Sequence, residues 1–74
     1  MAPKVLDTVG LKSPGPICKI ALTFADMKKG DILEVWGDCP IFEKDVRYWC
    51  TRMGKNLVCV KEDIPPKKKI QIEM

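Results

Sequence analysis

One serine and four cysteines are the side chains of this sequence considered first for nucleophilic chemistry. Ser13 stands in the stretch GLKSPGP, where Pro14 and Pro16 flank a single glycine ahead of a helical pattern. A thiol at a helix N-terminus is acidified and becomes a nucleophile, whereas a serine hydroxyl needs an adjacent base. The chain contains no histidine, so only Lys12 or a carboxylate could serve as that base. On its residues alone, Ser13 is first of all a candidate helix N-cap.

The cysteines are widely spaced and do not form a CxxC pair. They are Cys18, Cys39, Cys50 and Cys59. Without a CxxC pair or a histidine the common zinc sites are excluded, and we expect no metal and no cofactor. The first residues, MAPKVLD, lack the layout of a secretory signal, which favours a cytoplasmic protein with reduced thiols. We expect Cys50, Cys59 and Cys18 to be packing residues.

The elements that must position Ser13 are a short strand and a helix. Residues 3–7 predict a first strand, and Gly10 breaks it. Ser13 is expected to cap the first helix, with Pro14 at its first position. Lys28 and Lys29 are expected in the last turn of this helix, where positive charge is favourable, and Gly30 is expected to end it. Its apolar stripe is Ile17, Ile20, Ala21, Phe24 and Met27.

The second half of the chain repeats the strand-to-helix order and then adds two strands. The stretch DILEVWGD predicts a strand with Leu33 and Val35 on one face and Glu34 and Trp36 on the other. Asp38 and Pro40 are expected to open a second helix that Gly54 ends. Its apolar stripe is Phe42, Val46, Trp49, Cys50 and Met53. NLVCVKEDI and KKKIQIEM predict two strands, paired antiparallel around Pro65 and Pro66.

The order β-α-β-α-β-β predicts an α+β fold. We expect a two-layer α/β sandwich in which two helices pack on one face of a four-stranded mixed sheet. With 74 residues the chain, 1–74, is expected to be a single domain. Both strand-to-helix loops should emerge at the same edge of the sheet, which brings Ser13 and Cys39 to the edge where α/β folds bind ligands.

This sequence resembles the TusA/SirA/YeeD family of small sulfur-carrier proteins, whose motif reads Gly-Leu-x-Cys-Pro-x-Pro. The matching positions are Gly10, Leu11, Pro14, Pro16, Met27, the stretch KGDILEV at 29–35, Asp38, Asp45, Trp49 and Gly54. The resemblance covers nearly the whole chain, and the family fold is the same two-layer sandwich. It implies a sulfurtransferase that holds sulfane sulfur as a persulfide on the motif cysteine and relays it to a partner protein.

The chain departs from the family at the motif cysteine, where it has Ser13. A serine cannot form a persulfide. We interpret Ser13 as a Cys→Ser replacement that inactivates a parent sulfur carrier. The alternative is a natural relative with Ser13 that serves as a non-catalytic protein- or RNA-binding, regulatory module of the same fold. Hydrolysis with Ser13 as the nucleophile is a third and poorer hypothesis, since no evident base accompanies it.

Cys39, in the stretch GDCP, has two interpretations. It is either a small packing residue in a tight loop, or a second thiol that takes sulfur or resolves a persulfide at position 13. Lys12, Lys19 and Arg47 are candidate contacts for an anion or a partner, although a solvated charged surface is the favoured interpretation of each one taken singly. Trp36, on the sheet face away from the helices, is a candidate docking residue.

The resemblance also implies the partners. These are sulfur donor and acceptor proteins, with thiosulfate as a candidate donor and a membrane thiosulfate transporter as a candidate partner. A net charge of +3 does not by itself indicate nucleic acid, so we expect no direct nucleic-acid binding. We expect a monomer or a weak dimer.

Overall fold

The chain forms two strand-to-helix units followed by a β-hairpin. In the computed structural model, which describes residues 4–74, the elements are β1 (Lys4–Asp7), α1 (Gly15–Phe24), β2 (Ile32–Gly37), α2 (Phe42–Met53), β3 (Asn56–Glu62) and β4 (Lys68–Glu73). The predicted order of elements is confirmed. The first strand was predicted from residue 3, which lies outside the described residues. Among residues 4–74, no helix combines the length and the apolarity needed to cross a membrane.

The four strands form one mixed sheet in the order β1-β2-β4-β3. β1 and β2 are parallel, while β4 runs antiparallel to both β2 and β3. The hairpin between β3 and β4 closes with Asp63 N–H donating to Lys67 C=O at 3.0 Å, which confirms the predicted turn around Pro65 and Pro66. The register of this hairpin shifts between Leu57 and Cys59, so β3 contains a bulge.

The core lies between the helices and one face of the sheet. Alternation along β2 buries Leu33 and Val35 on this face, whereas Glu34 and Trp36 lie on the opposite one, as predicted. The core residues are Ile20, Phe24, Met27, Leu33, Val35, Phe42, Val46, Cys50, Ile70 and Ile72. The α+β sandwich with its four-stranded mixed sheet is therefore confirmed.

The first helix is shorter than predicted. It ends at Phe24, because the N–H groups of Asp26 and Met27 donate to carbonyls three residues back, Thr23 and Phe24, and tighten the chain into a turn. This turn brings Met27 into the core from outside the helix. The prediction that Lys28 and Lys29 occupy the last helical turn is wrong, and Ala21 is exposed rather than part of the buried stripe.

The second helix begins later than predicted. Ile41 is its N-cap and Phe42 its first residue, so the prediction that Asp38 caps this helix is wrong. Gly54 ends it in the left-handed conformation, with φ +67°, as predicted. Met53 is 56% exposed and does not complete the apolar stripe.

Candidate functional site

The loop that leads from β1 to α1 is fixed to the carboxyl end of β2. Thr8 is fully buried, and its Oγ1 donates to Trp36 C=O at 2.6 Å. Gly10 has φ +90°, a conformation that favours glycine, and its N–H donates to Asp38 Oδ1 at 2.9 Å. The loops that follow β1 and β2 are therefore hydrogen-bonded to each other, and the carboxylate expected to cap α2 is used to join them.

Ser13 is not the N-cap of α1. Pro14 occupies that position without a side-chain cap bond, and Pro16 is the second helical residue. The Gly15 N–H donates to Lys12 C=O at 2.7 Å, and neither proline has an N–H. The first turn of α1 therefore offers at most the N–H of Ile17 to an anion, fewer donors than the sequence pattern predicts.

The Ser13 side chain reaches the other helix instead. Its Oγ donates to Asp45 Oδ2 at 2.6 Å, across 32 positions of the sequence. Asp45 lies in the first turn of α2 together with Glu43, where negative charge is favourable. The exposed side chain at position 13 is thus held by a carboxylate at the N-terminus of α2.

A groove between the two helices opens beside this hydrogen bond. It encloses about 350 Å³ and is lined by Pro14, Ile17, Asp45, Tyr48, Trp49, Arg52 and Met53. Its walls are mainly apolar, and Tyr48 is 64% exposed. Arg52 donates to Tyr48 Oη at 3.2 Å and lies 5.7 Å from the centre of the Tyr48 ring. The helix tip at position 13 therefore borders an apolar surface with one cation.

Cys39 lies in the loop before α2, half-buried against the core. Its C=O accepts a hydrogen bond from the Phe42 N–H at 2.9 Å. This packing agrees with the interpretation of Cys39 as a small packing residue. Part of the residue remains accessible. The loop that holds Cys39 is the one joined to the Gly10 loop through Asp38.

The other three cysteines lie in three different environments. Cys50 is buried in the core, as predicted, and burial raises the pKa of its thiol. Cys18 is exposed, so the prediction that it packs is wrong. Cys59 was predicted in the core and is instead half-buried on the open face of the sheet, where its Sγ donates to Gln71 Oε1 at 3.4 Å. The bulge explains this error, because it breaks the alternation that would place Leu57 and Cys59 on one face.

The candidate basic contacts do not converge on one point. Lys12 precedes Ser13 directly and is exposed, and Lys19 is exposed on α1. Arg47 forms an ion pair at 2.9 Å with Glu43, a carboxylate that Lys68 also contacts at 2.9 Å. Of these cations, Lys12 is next to position 13 in the chain, whereas Arg47 is engaged within α2.

Trp36 lies on the open face of the sheet, away from the helices. The Nζ atoms of Lys67 and Lys69 stand 5.1 and 5.2 Å from the centre of its ring, and its Nε1 donates to Glu34 at 3.1 Å. The ring borders a pocket of about 400 Å³ lined by Val5, Asp7, Glu34, Trp36 and Lys67. Its position confirms the predicted face, and the two lysines cover part of the ring.

The chain matches a known protein family over nearly all of its length. Residues 4–73 match the family described as Sulfurtransferase TusA. The chain belongs to this family of sulfurtransferases, whose members pass sulfur between partner proteins.

The contact between Ser13 and Asp45 was not predicted from the sequence. Asp45 was noted only as a position that matches the family pattern. Its place near the predicted start of α2 was a usable signal, because Ser13 and the start of α2 were both predicted near one edge of the sheet. The assumption that Ser13 caps its own helix hid this contact, since a capping hydroxyl has its partner within the same helix.

Proposed function

We propose that this chain is a sulfur-carrier domain in which position 13 is the sulfur acceptor, and that Ser13 makes this form unable to accept sulfur. The observation that carries the proposal is the family match over residues 4–73, with a serine where the motif has its cysteine. The exposure of position 13 at the N-terminal end of α1 supports it, because a donor protein must reach the acceptor atom.

The chemistry belongs to the parent form with a thiol at position 13. The thiolate attacks the sulfane sulfur of a persulfide donor, a new S–S bond forms, and the donor's S–S bond breaks to leave the donor thiolate. With thiosulfate, the same attack releases sulfite. The bound persulfide is then attacked in turn by an acceptor thiolate. With Ser13 this series of reactions stops at its first step, because a hydroxyl cannot hold a persulfide.

Pro14 and Pro16 support this role by fixing where α1 begins. They preset the backbone of the first turn. Gly10 and Leu11 shape the loop ahead of it: the Leu11 N–H donates to Thr8 C=O at 3.1 Å. Lys12 is the cation nearest in the chain for an anionic donor such as thiosulfate. We propose donor and acceptor proteins as the partners, with a membrane thiosulfate transporter as one candidate, and a cytoplasmic location.

The test compares Ser13→Cys with the unmodified chain, which has Ser13, after exposure to a persulfide donor or to thiosulfate. Intact mass detects an added sulfur atom, and peptide mapping locates it. We expect an adduct at position 13 in Ser13→Cys alone. Ser13→Ala is the matched control, since it removes the hydroxyl without supplying a thiol. A folded Ser13→Cys that takes no sulfur from a donor proven active would overturn the proposal.

Cys39 is assigned by the same experiment. We propose that it is either a packing residue or a second thiol that resolves the persulfide at position 13, and Ser13→Cys combined with Cys39→Ala separates the two. A resolving thiol attacks the persulfide, so its removal should lengthen the lifetime of the adduct. A packing residue leaves that lifetime unchanged. Sulfur on Cys39 in both the unmodified Ser13 chain and Ser13→Cys would move the acceptor to the second loop.

A second candidate function is a non-catalytic module that binds a protein or RNA, with Ser13 as the natural residue. The observation that favours it is Trp36, which borders a pocket on the open face of the sheet with Lys67 and Lys69 beside its ring. A cysteine codon at position 13 in the parent gene would remove its main support. Absence of any sulfur adduct on Ser13→Cys, with folded protein and an active donor, would favour it.

A further inference from the structure

The hydrogen bond from Ser13 to Asp45 places an acceptor carboxylate on the side chain at position 13. The donor–acceptor distance of 2.6 Å is typical of an O–H group bonded to a charged oxygen. Asp45 is half-buried, and its backbone N–H donates to Ile41 C=O at 2.9 Å, so its position is fixed by the start of α2. The carboxylate is therefore part of the rigid helix rather than of a mobile loop.

We propose that Asp45 is a positioning residue for position 13, which holds the side chain there in its protonated form and sets how readily a thiol at that position ionises. This inference rests on the proposed function, in which position 13 is the sulfur acceptor. It assigns to Asp45 the control of that acceptor, and it does not depend on the identity of the donor.

Asp45 favours the protonated form of a thiol at position 13 in two ways. A carboxylate that accepts a hydrogen bond from a neutral thiol stabilises the protonated form, and its negative charge disfavours a thiolate beside it. The N-terminus of α1 acts in the opposite direction but is short of donors, because Pro14 and Pro16 have no N–H and the Gly15 N–H is already bonded. Lys12 beside position 13, Arg52 in the groove and the N-terminus of α2 also favour a thiolate. Among the described residues, however, Asp45 is the charged group that bonds to the side chain at position 13.

The consequence differs between the two forms of the chain. With Ser13 there is no group to ionise, and the hydrogen bond joins the start of α1 to α2 beside the groove that Asp45 also lines. With a thiol at position 13, ionisation requires the side chain to leave Asp45. A donor that occupies the groove and separates the two side chains would thereby activate the acceptor.

The test measures the ionisation of the thiol directly, without a sulfur donor. Ser13→Cys and Ser13→Cys combined with Asp45→Asn are alkylated with iodoacetamide across a range of pH, and peptide mass spectrometry follows the cysteine at position 13 alone. We expect the midpoint of its pH profile to fall by about one unit when Asp45 becomes Asn, as for the loss of a neighbouring like charge. The midpoint is the readout, because intrinsic nucleophilicity falls with the pKa and partly cancels the gain in rate at a fixed pH.

Asp26→Asn is the matched control, since it removes one carboxylate just beyond the C-terminal end of α1. It should leave the midpoint unchanged, because the ten residues of α1 extend about 15 Å. Position 13 is already exposed, so a loss of packing alone has little burial to relieve and should leave the midpoint unchanged. An equal midpoint with and without Asp45, in folded variants, would overturn the inference.

A second measurement uses the chain with Ser13, so it does not depend on whether the Ser13→Cys variant folds. Ser13→Ala, Asp45→Asn and the double variant are compared by thermal unfolding. We expect the two single changes to lower Tm and the double variant to fall less than their sum, because both remove the same bond. Additive changes would count against the contact. A shifted midpoint in a variant that takes no sulfur would sustain the role of Asp45 and overturn the carrier function.

Discussion

At the scale of single residues, the four thiols differ mainly in their access to solvent. Cys18 is exposed, Cys39 and Cys59 are half-buried, and Cys50 is buried with its pKa raised by desolvation. Reaction with an electrophile requires both a thiolate and an approach to it. The chain therefore contains a graded set of thiols that can be distinguished even though the acceptor position holds a serine.

We expect alkylation of the native protein to be fastest at Cys18, slower at Cys39 and Cys59, and slowest at Cys50. Burial denies the reagent access to Cys50, and its raised pKa lowers the thiolate fraction. Timed iodoacetamide labelling with peptide mapping measures the order, and labelling in urea is the control in which the four rates should converge. Fast native labelling of Cys50 would contradict the buried position of α2 against the sheet.

At the scale of elements, the connection from β2 to α2 depends on a glycine. Gly37 is buried at the end of β2, and a Cβ atom at this position would lie 2.7 Å from the ring of Phe42, the first residue of α2. The absence of a side chain at residue 37 lets the helix start directly over the strand end. The same close approach fixes the loop that contains Cys39.

Gly37→Ala should lower the free energy of unfolding by about 1–3 kcal/mol, the cost of overpacking a fixed core position. Urea unfolding followed by tryptophan fluorescence measures this loss. Phe42→Ala should reduce the penalty of Gly37→Ala when the two are combined, because the Cγ and ring atoms that meet the new methyl group are gone.

Gly54→Ala is the comparison, since nothing lies within 4 Å of an added Cβ there and its φ is +67°. It should cost about 1 kcal/mol through backbone strain, with no relief from Phe42→Ala. Equal relief of both glycine variants would show that the ring contact at Gly37 is not the cause.

At the scale of the whole molecule, two glutamates join elements that are distant in the chain. Glu43 on α2 accepts from Lys68 on β4 at 2.9 Å, and this hydrogen bond, followed by that from Arg47, lowers the pKa of Glu43. Glu34 on β2 accepts from Gln71 on β4 at 3.2 Å, which is the largest cause of its own lowered pKa. The first contact joins β4 to α2, and the second joins β4 to its neighbour β2 within the sheet.

These two carboxylates predict an acid-sensitive contribution to stability. Their pKa values in the folded protein are below the ordinary value of 4.5, so the stabilisation is complete above that value and is lost as the pH falls through the lower folded values. Glu43→Gln should therefore have a lower free energy of unfolding than the unmodified chain at neutral pH, and the difference should shrink at pH values well below 4.5. Urea unfolding over this range measures it.

Glu62→Gln is the control, because Glu62 is an exposed carboxylate at the end of β3. The free energy of unfolding of Glu62→Gln should stay close to that of the unmodified chain at every pH. A difference for Glu43→Gln that does not vary with pH would mean that the glutamate stabilises through packing rather than through its charge.

The sequence by itself determined the order of the elements, the faces of β2 and the end of α2. These features follow from local rules: alternation separates Leu33 and Val35 from Glu34 and Trp36, and a glycine adopts the left-handed conformation that ends α2 at Gly54. The resemblance of the GLKSPGP stretch to the family motif was likewise readable, and the family match over residues 4–73 confirms it.

Only the tertiary structure decided which groups those elements bring together. Ser13 and Asp38 both have the side chains of helix caps, yet each bonds across the fold, Ser13 to Asp45 and Asp38 to the Gly10 N–H. The bulge in β3 turned Cys59 away from the core, although strict alternation would have placed it inside. The physical reason is the same in each case: a capping side chain or a strand residue has several partners of similar energy, and long-range packing selects among them.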